Sequence, residues 1–328
     1  MARSIAFREA LREAMNEEMR RDETVFLMGE EVAEYNGAYK VSQGMLDEFG
    51  PKRVIDTPIS ELGFTAVAVG AAQNGLRPIV EYMTWNFAVL ALDQILNTAS
   101  KMLAMSGGQL GCPIVFRGPN GSAGQLGAQH STAFESYLAN IPGVKVISPS
   151  NPYDAKGLLK SAIRDDDPVM FMESEVMYGE KGEVPEEEYL LPIGKADVKR
   201  QGNDVTIVSY NKMMKVALGA GAELEKEGIS AEVIDLRTIR PLDWMSVLES
   251  VKKTNRLVIV EEQWPMCSVS SELGYRIQKE GFDYLDAPVR RITSADAPLH
   301  YAPNLVARAL PDVARTVSLV KEVMYLKK

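Results

Sequence analysis

Histidine and cysteine are scarce in this chain of 328 residues: each occurs twice, as His130 and His300 and as Cys112 and Cys267. Two histidines so far apart all but exclude a metal site built on several imidazoles. The cysteines form no CxxC pair, which argues against a disulfide scaffold or zinc ribbon and fits a reducing compartment. Known nucleotide and nucleophile motifs are missing too: no GxxxxGK[ST], no GxGxxG after a strand, no HExxH and no GxSxG, which Asn120-Gly121-Ser122-Ala123-Gly124 only approaches. No apolar run reaches the ~18 residues of a membrane span. No apolar stretch follows Arg3, Arg8, Glu9 and Arg12, so no signal peptide is expected, and the sequon Asn120-Gly121-Ser122 is read as coincidence. Basic residues are outnumbered, 36 Lys and Arg against 45 Asp and Glu, for a net charge of −9. The positive footprint of a nucleic-acid or anionic-membrane binder is therefore absent.

What is present suits an acidic, soluble, intracellular α/β protein of about two domains, at roughly 150 residues per domain. Apolar strand patterns at Val25–Met28, Pro78–Tyr82, Pro113–Phe116, Val144–Ile147 and Val169–Met172 alternate with helical patterns. The helices are expected at Ser4–Arg21, Glu61–Asn74, Phe87–Met105 and Tyr153–Arg164. Near-continuous apolar strands separated by helices predict a parallel sheet with helices on both faces. Residues 181–202, with Glu186–Glu188 and two prolines, read as a linker. The alternation then resumes, giving an N-terminal domain over 1–180 and a smaller α/β domain over 203–328.

Several residues stand where chemistry is expected. Glu61 follows Ser60, a candidate N-cap, and opens a helix with no polar face, expected to be buried all round. It is either a carboxylate complementing the helix dipole or one that needs a ligand proton. Glu30 and Glu31 follow Val25–Met28, at the carboxyl end where open α/β sheets bind ligands; otherwise they mark a solvated strand end. His130 lies in the Gly-rich stretch Arg117–Ser131. It reads as an active-site loop whose histidine suits proton transfer near neutrality, or as a histidine bonded to its own loop. His300 reads as structural. Asp165-Asp166-Asp167 is a solvated turn or a hard-cation site, and Glu261-Glu262 repeats the Glu30 situation.

Six ordered segments carry a resemblance: Phe26–Val32, Asp56–Glu61, Glu81–Phe87, Phe116–Gly121, Ala128–Ser131 and Leu236–Pro241. Together they resemble the beta subunits of the thiamine-diphosphate-dependent pyruvate dehydrogenase component of 2-oxo acid dehydrogenase complexes, essentially from Ile5 to the C-terminus. The resemblance implies a transketolase-like pyrimidine-binding domain followed by a transketolase C-terminal domain. It implies thiamine diphosphate shared with an alpha subunit in an α2β2 heterotetramer. The alpha chain would hold the diphosphate and magnesium through a GDG…N motif, and no Gly-Asp-Gly occurs here. Residue by residue, Glu61 matches the glutamate that hydrogen-bonds N1′ of the aminopyrimidine, and Glu30 a second acid proposed to relay protons. Phe87 matches an aromatic beside that ring, and His130 a histidine facing the reacting end. Ile114, Ala162, Ile163, Asp165 and Asp167 match positions around a structural potassium ion, with Asp167 in place of an asparagine. No lipoyl-domain extension precedes the catalytic region, so lipoyl groups are expected from a dihydrolipoyl acetyltransferase docking on the C-terminal domain. Branched-chain 2-oxo acid or acetoin chemistry, or a non-catalytic docking scaffold, are the alternative functions. The expected compartment is a bacterial cytoplasm, or a mitochondrial matrix after loss of a transit peptide.

Overall fold

The computed structural model describes residues 2–326. Its first half contributes strands β1 (Ala2–Ala6), β2 (Val25–Gly29), β3 (Val54–Asp56), β4 (Arg77–Glu81), β5 (Val115–Pro119), β6 (Lys145–Ile147), β7 (Val169–Glu173) and β8 (Lys181–Pro185). The second half contributes β9 (Asp197–Arg200), β10 (Val205–Ser209), β11 (Ala231–Asp235), β12 (Thr238–Arg240), β13 (Leu257–Val260) and β14 (Arg290–Ile292). Seven strands form one sheet in the order β12-β6-β7-β5-β4-β2-β3, parallel except for β12 against β6. A second sheet runs β14-β13-β10-β11-β9, parallel except for β9.

Period-two alternation within buried strands builds a core on each face of the first sheet. Val25 and Leu27 join Phe7, Leu11, Met15, Leu158 and Leu159 on one side. Phe26 and Met28 join Phe64 and Ala68 on the other. The second cluster continues into Val208, Ile234 and Ile259 of the second sheet, so a single apolar core joins the two halves. On the first face the helices Phe7–Arg21 and Pro152–Arg164 pack together. The latter starts as its sequence directs: Pro152 takes the first turn, and Asn151 accepts the Asp154 N–H at 2.9 Å.

Four expectations are corrected. Residues 4–6 extend β1, paired antiparallel with β8, and Glu9 caps the Ala6 N–H at 2.7 Å so that the helix begins at Phe7. The segment 181–202 carries the strands β8 and β9. The helix expected over Phe87–Met105 is broken into Trp85–Ala88, a 3₁₀ turn Val89–Ala91, a wide π turn Gln94–Ala99 and Met102–Met105. There the Ser100 hydroxyl donates to the Leu96 carbonyl at 2.7 Å, competing with regular helical pairing. Finally, the helix Glu61–Gln73 is not buried all round: Leu62 and Val67 are exposed, because this chain alone covers only one of its faces.

Candidate active site

The chain leaves β2 first toward β3 on one side and then returns through β4 on the other, which places a topological switch point at the carboxyl ends of β2 and β4. Open α/β sheets bind ligands in that crevice. Glu30 stands directly past β2, and Glu61 opens the helix Glu61–Gln73; each is only 6% exposed. Ser60 holds the cap position but makes no capping hydrogen bond, so the expected Ser60 cap is not formed. The two carboxyl groups are close enough for the charge of Glu61 to act on Glu30. Burial first, and then the negative charge of Glu61, push the Glu30 carboxyl up to about 7. Glu30 Oε1 is buried without a hydrogen-bond partner. Tyr82, past β4, shares a 2.7 Å hydrogen bond with Thr65 and so ties the Glu61 helix to the sheet. Burial raises its phenol well above the ordinary range.

Phe87 and His130 meet edge to face, with ring centroids 5.1 Å apart and planes at 87°. Phe87 lies in the short helix Trp85–Ala88, begun by Thr84, whose hydroxyl accepts from the Asn86 N–H at 3.3 Å. His130 ends a 3₁₀ turn in an otherwise irregular loop. Gly118 permits the loop to leave β5 so close to its neighbour: at φ 155°, any Cβ would strike the Tyr82 carbonyl.

Beneath the crevice lies a brace that sequence reading missed. Arg117 of β5 is fully buried and donates to Glu173 of β7 at 2.6 and 2.5 Å and to Glu81 of β4. Tyr178 donates to Glu173 at 2.6 Å. Burial pushes Glu81 up, an effect that the Arg117 charge opposes. The signal was available: charged residues inside apolar strand runs are costly unless paired.

Other candidates fall elsewhere. Glu261, fully buried, accepts from Tyr210 at 2.9 Å and from the Ser270 N–H at 3.1 Å, so it anchors the helix Val269–Gly281. Glu262 pairs with Lys212 at 2.7 Å. His300 is exposed, not packed as a structural residue would be. Lys145 bonds Asp165 at 2.6 Å and pairs with Asp167 at 3.1 Å. The Ile163 and Asp165 carbonyls accept from Arg77 at 3.1 and 2.9 Å, and the Ile114 carbonyl from Val169. Ions bound there would use the second lone pairs of these carbonyls, since Lys145 engages the carboxylates. A cavity of about 740 Å³ lies between Ser136–Asn140, Arg240–Leu242 and Cys267–Arg276, and none of Glu30, Glu61, Phe87 or His130 lines it. That hollow has Glu272 as the one acid in its lining and holds no acid pair like Glu30 and Glu61.

The fold and this half-site define a class. Residues 3–181 match the transketolase pyrimidine-binding domain, and residues 194–316 match the transketolase C-terminal domain. A split-gene transketolase solved as an inactive beta4 tetramer superposes with a TM-score of 0.80 over 99% of this chain and 100% of that chain, at 22% identity, a likeness of fold. The pyruvate dehydrogenase E1 component subunit beta of Rhizobium meliloti (strain 1021) is 58% identical over 98% of this chain and 70% of that protein. The corresponding subunit of Rickettsia felis is 55% identical over 98% of both chains, and the mitochondrial beta-2 subunit of Oryza sativa subsp. japonica is 54% identical over 99% of this chain and 87% of that one. The chain belongs to the family of pyruvate dehydrogenase E1 component beta subunits.

Proposed function

We propose that this chain is the beta half of a pyruvate dehydrogenase (acetyl-transferring). With an alpha subunit, in an α2β2 heterotetramer, it carries out thiamine-diphosphate-dependent oxidative decarboxylation of pyruvate and reductive acetylation of lipoamide on a dihydrolipoyl acetyltransferase, leading to acetyl-CoA. The observation that carries this reading is the buried Glu30–Glu61 pair at the switch point, one oxygen of which has no partner. A buried acid that keeps its proton up to about pH 7 beside a second carboxyl fits a ligand whose ring nitrogen accepts that proton, as N1′ of an aminopyrimidine does. When bound, thiamine diphosphate supplies the carbon that takes up the electrons of the departing carboxyl group.

The residues of this chain do the rest. Glu61 holds the aminopyrimidine at N1′ and shares a proton with it. Glu30, poised near pH 7, gives protons to Glu61 and takes them back. Phe87 offers an aromatic side to the ring and orients His130. At acyl transfer the lipoyl S–S bond opens. One sulfur takes the acetyl carbon and the other takes a proton from His130, while the two electrons are those left when carbon dioxide departed.

The pyrimidine-binding half is read as residues 1–180 and the C-terminal half as 203–328. Diphosphate and magnesium are assigned to the alpha subunit, because this chain contains no Gly-Asp-Gly. Potassium is assigned to the carbonyls around Ile114, Ala162, Ile163, Asp165 and Asp167. Exchange of potassium for sodium lowers the thermal midpoint if that is right and leaves it unchanged if not. The acetyltransferase's binding domain is assigned to the C-terminal half, whose residues 203–328 carry 17 basic and 17 acidic side chains, so the assignment draws nothing from net charge; undiminished binding by a heterotetramer altered on the surface of that half would contradict it. The relatives come from bacteria and mitochondria, and the compartment is read accordingly as a bacterial cytoplasm or a mitochondrial matrix. Among the described residues no helix is long and apolar enough to cross a membrane.

The test is reconstitution with an alpha subunit and assay on pyruvate, 3-methyl-2-oxobutanoate and acetoin. Pyruvate is the preferred substrate, and Glu61→Gln lowers its turnover by about 100-fold or more. Preference for another substrate reassigns the chemistry, and near-normal turnover of Glu61→Gln reduces the chain to a docking scaffold.

A further inference from the structure

The loop that carries His130 is held from outside its own sheet. Lys212 lies in the turn after β10 and Glu262 directly past β13, at the carboxyl ends of adjacent strands in the second sheet. The buried Lys212 ammonium donates to the Ser122 carbonyl and to Ser122 Oγ at 2.9 Å, and it pairs with Glu262 Oε2 at 2.7 Å. Glu262 Oε1 accepts the Ser122 N–H at 2.6 Å. Gly121, at φ 73°, makes the approach feasible, since a Cβ there would strike both the Glu262 carboxylate and Lys212 Nζ. From this point the backbone relays the constraint. The Gly121 N–H donates to the Thr132 carbonyl at 3.1 Å, closing the loop 121–132 at its mouth. The Thr132 N–H donates to the Asn86 side chain at 3.2 Å, beside Phe87 and the His130 ring packed on it.

We propose that Lys212 and Glu262 are positioning residues for acyl transfer: they latch the mouth of loop 121–132 and set where His130 meets the incoming lipoyl sulfur. The proposal rests on the reading of His130 given above. Buried ion pairs add little net stability compared with apolar packing, yet charge-assisted hydrogen bonds fix geometry well. Three contacts converging on Ser122, and the Lys212–Glu262 pair that joins their donors and acceptor, do so here. Placement matters because a shift of about 1 Å in a reacting group costs on the order of 100-fold in rate. Decarboxylation is spared, since Glu30 stands directly past β2 and Glu61 opens the Glu61–Gln73 helix, which Tyr82 and Thr65 tie to the sheet independently of this loop.

The experiment compares Lys212→Met, the double variant Lys212→Met/Glu262→Gln and His130→Gln with the unaltered heterotetramer. Decarboxylation is followed with ferricyanide as electron acceptor, acyl transfer with a free lipoyl domain, and amide hydrogen exchange over residues 118–134 by mass spectrometry. Lys212→Met is expected to lower kcat/KM for the lipoyl domain by about tenfold or more, to leave ferricyanide-linked decarboxylation within about twofold, and to speed exchange across 121–132. The double variant leaves no lone buried charge, so it shows the same pattern even where the single variant assembles poorly. Equal loss of both activities with a lower thermal midpoint overturns the latch. So does wild-type transfer by Lys212→Met and the double variant when His130→Gln is impaired. Unimpaired transfer by His130→Gln beside slow transfer by Lys212→Met overturns the reading of His130 and with it the claim that the latch places this side chain.

Discussion

At the scale of single residues, Glu30 is the most informative side chain because its protonation is linked to stability with a definite sign. Its carboxyl is raised from 4.5 to about 7 in the folded chain, so between those values the folded state keeps a proton that the unfolded state has released. Stability from this group therefore falls as pH rises through that window and stays lower above it. Glu30→Gln removes the penalty: at pH 8 the variant should be more stable by about 2 kcal/mol, and at pH 4.5 the gain should vanish. Thermal melts of the cofactor-free heterotetramer at both pH values check this. The difference between the two proteins isolates Glu30 from Asp235, whose carboxyl burial and Asp154 also push up to about 7. A variant no more stable at pH 8 than wild type would show that the Glu30–Glu61 pair is not strained. Glu30, Glu61 and His130 were legible in the sequence because each sits at a strand end, a helix start or within a Gly-rich loop. Lys212 was not, and Glu262 stood out only as an acid past a strand end, since it meets Ser122 across 140 positions and no local pattern announces the meeting.

At the scale of elements, the carboxyl ends of three adjacent strands are set by the Arg117 brace. Arg117→Met strands Glu81 and Glu173 as buried carboxylates, which should cost about 3–5 kcal/mol in urea unfolding. A loss under about 1 kcal/mol would show that the brace contributes little to folding. Strand and helix alternation was readable from apolar runs, so β2, β4, β5 and β7 fell close to expectation. Elements defined by distant pairing were not: β1 exists through β8, and β12 crosses from the C-terminal half to complete the first sheet beside β6. Period alone cannot reveal such partners. The broken stretch 85–105 hid for a different reason, because its apolar positions keep a helical spacing while Ser100 engages the Leu96 carbonyl.

At the scale of the whole molecule, the exposed apolar side chains explain why the Glu61 helix looked fully buried in sequence. Ile59 is 85% exposed, and Leu62 and Val67 project from the same segment, which packs beside the turn that exposes Val89 and Leu90. An apolar face of this kind, next to a half-built site, is what an alpha subunit would cover. Val67→Asp should leave the chain folded and weaken its assembly with an alpha subunit at least about tenfold, read by sedimentation velocity. Undiminished assembly would place the interface elsewhere.

As proposed, this chain supplies half of a coenzyme site, and calorimetric titration of thiamine diphosphate with magnesium decides the point. Negligible heat is expected with this chain alone, saturable binding once an alpha subunit is added, and weakened binding when that complex carries Glu61→Gln. Tight magnesium-dependent binding by this chain alone would contradict it.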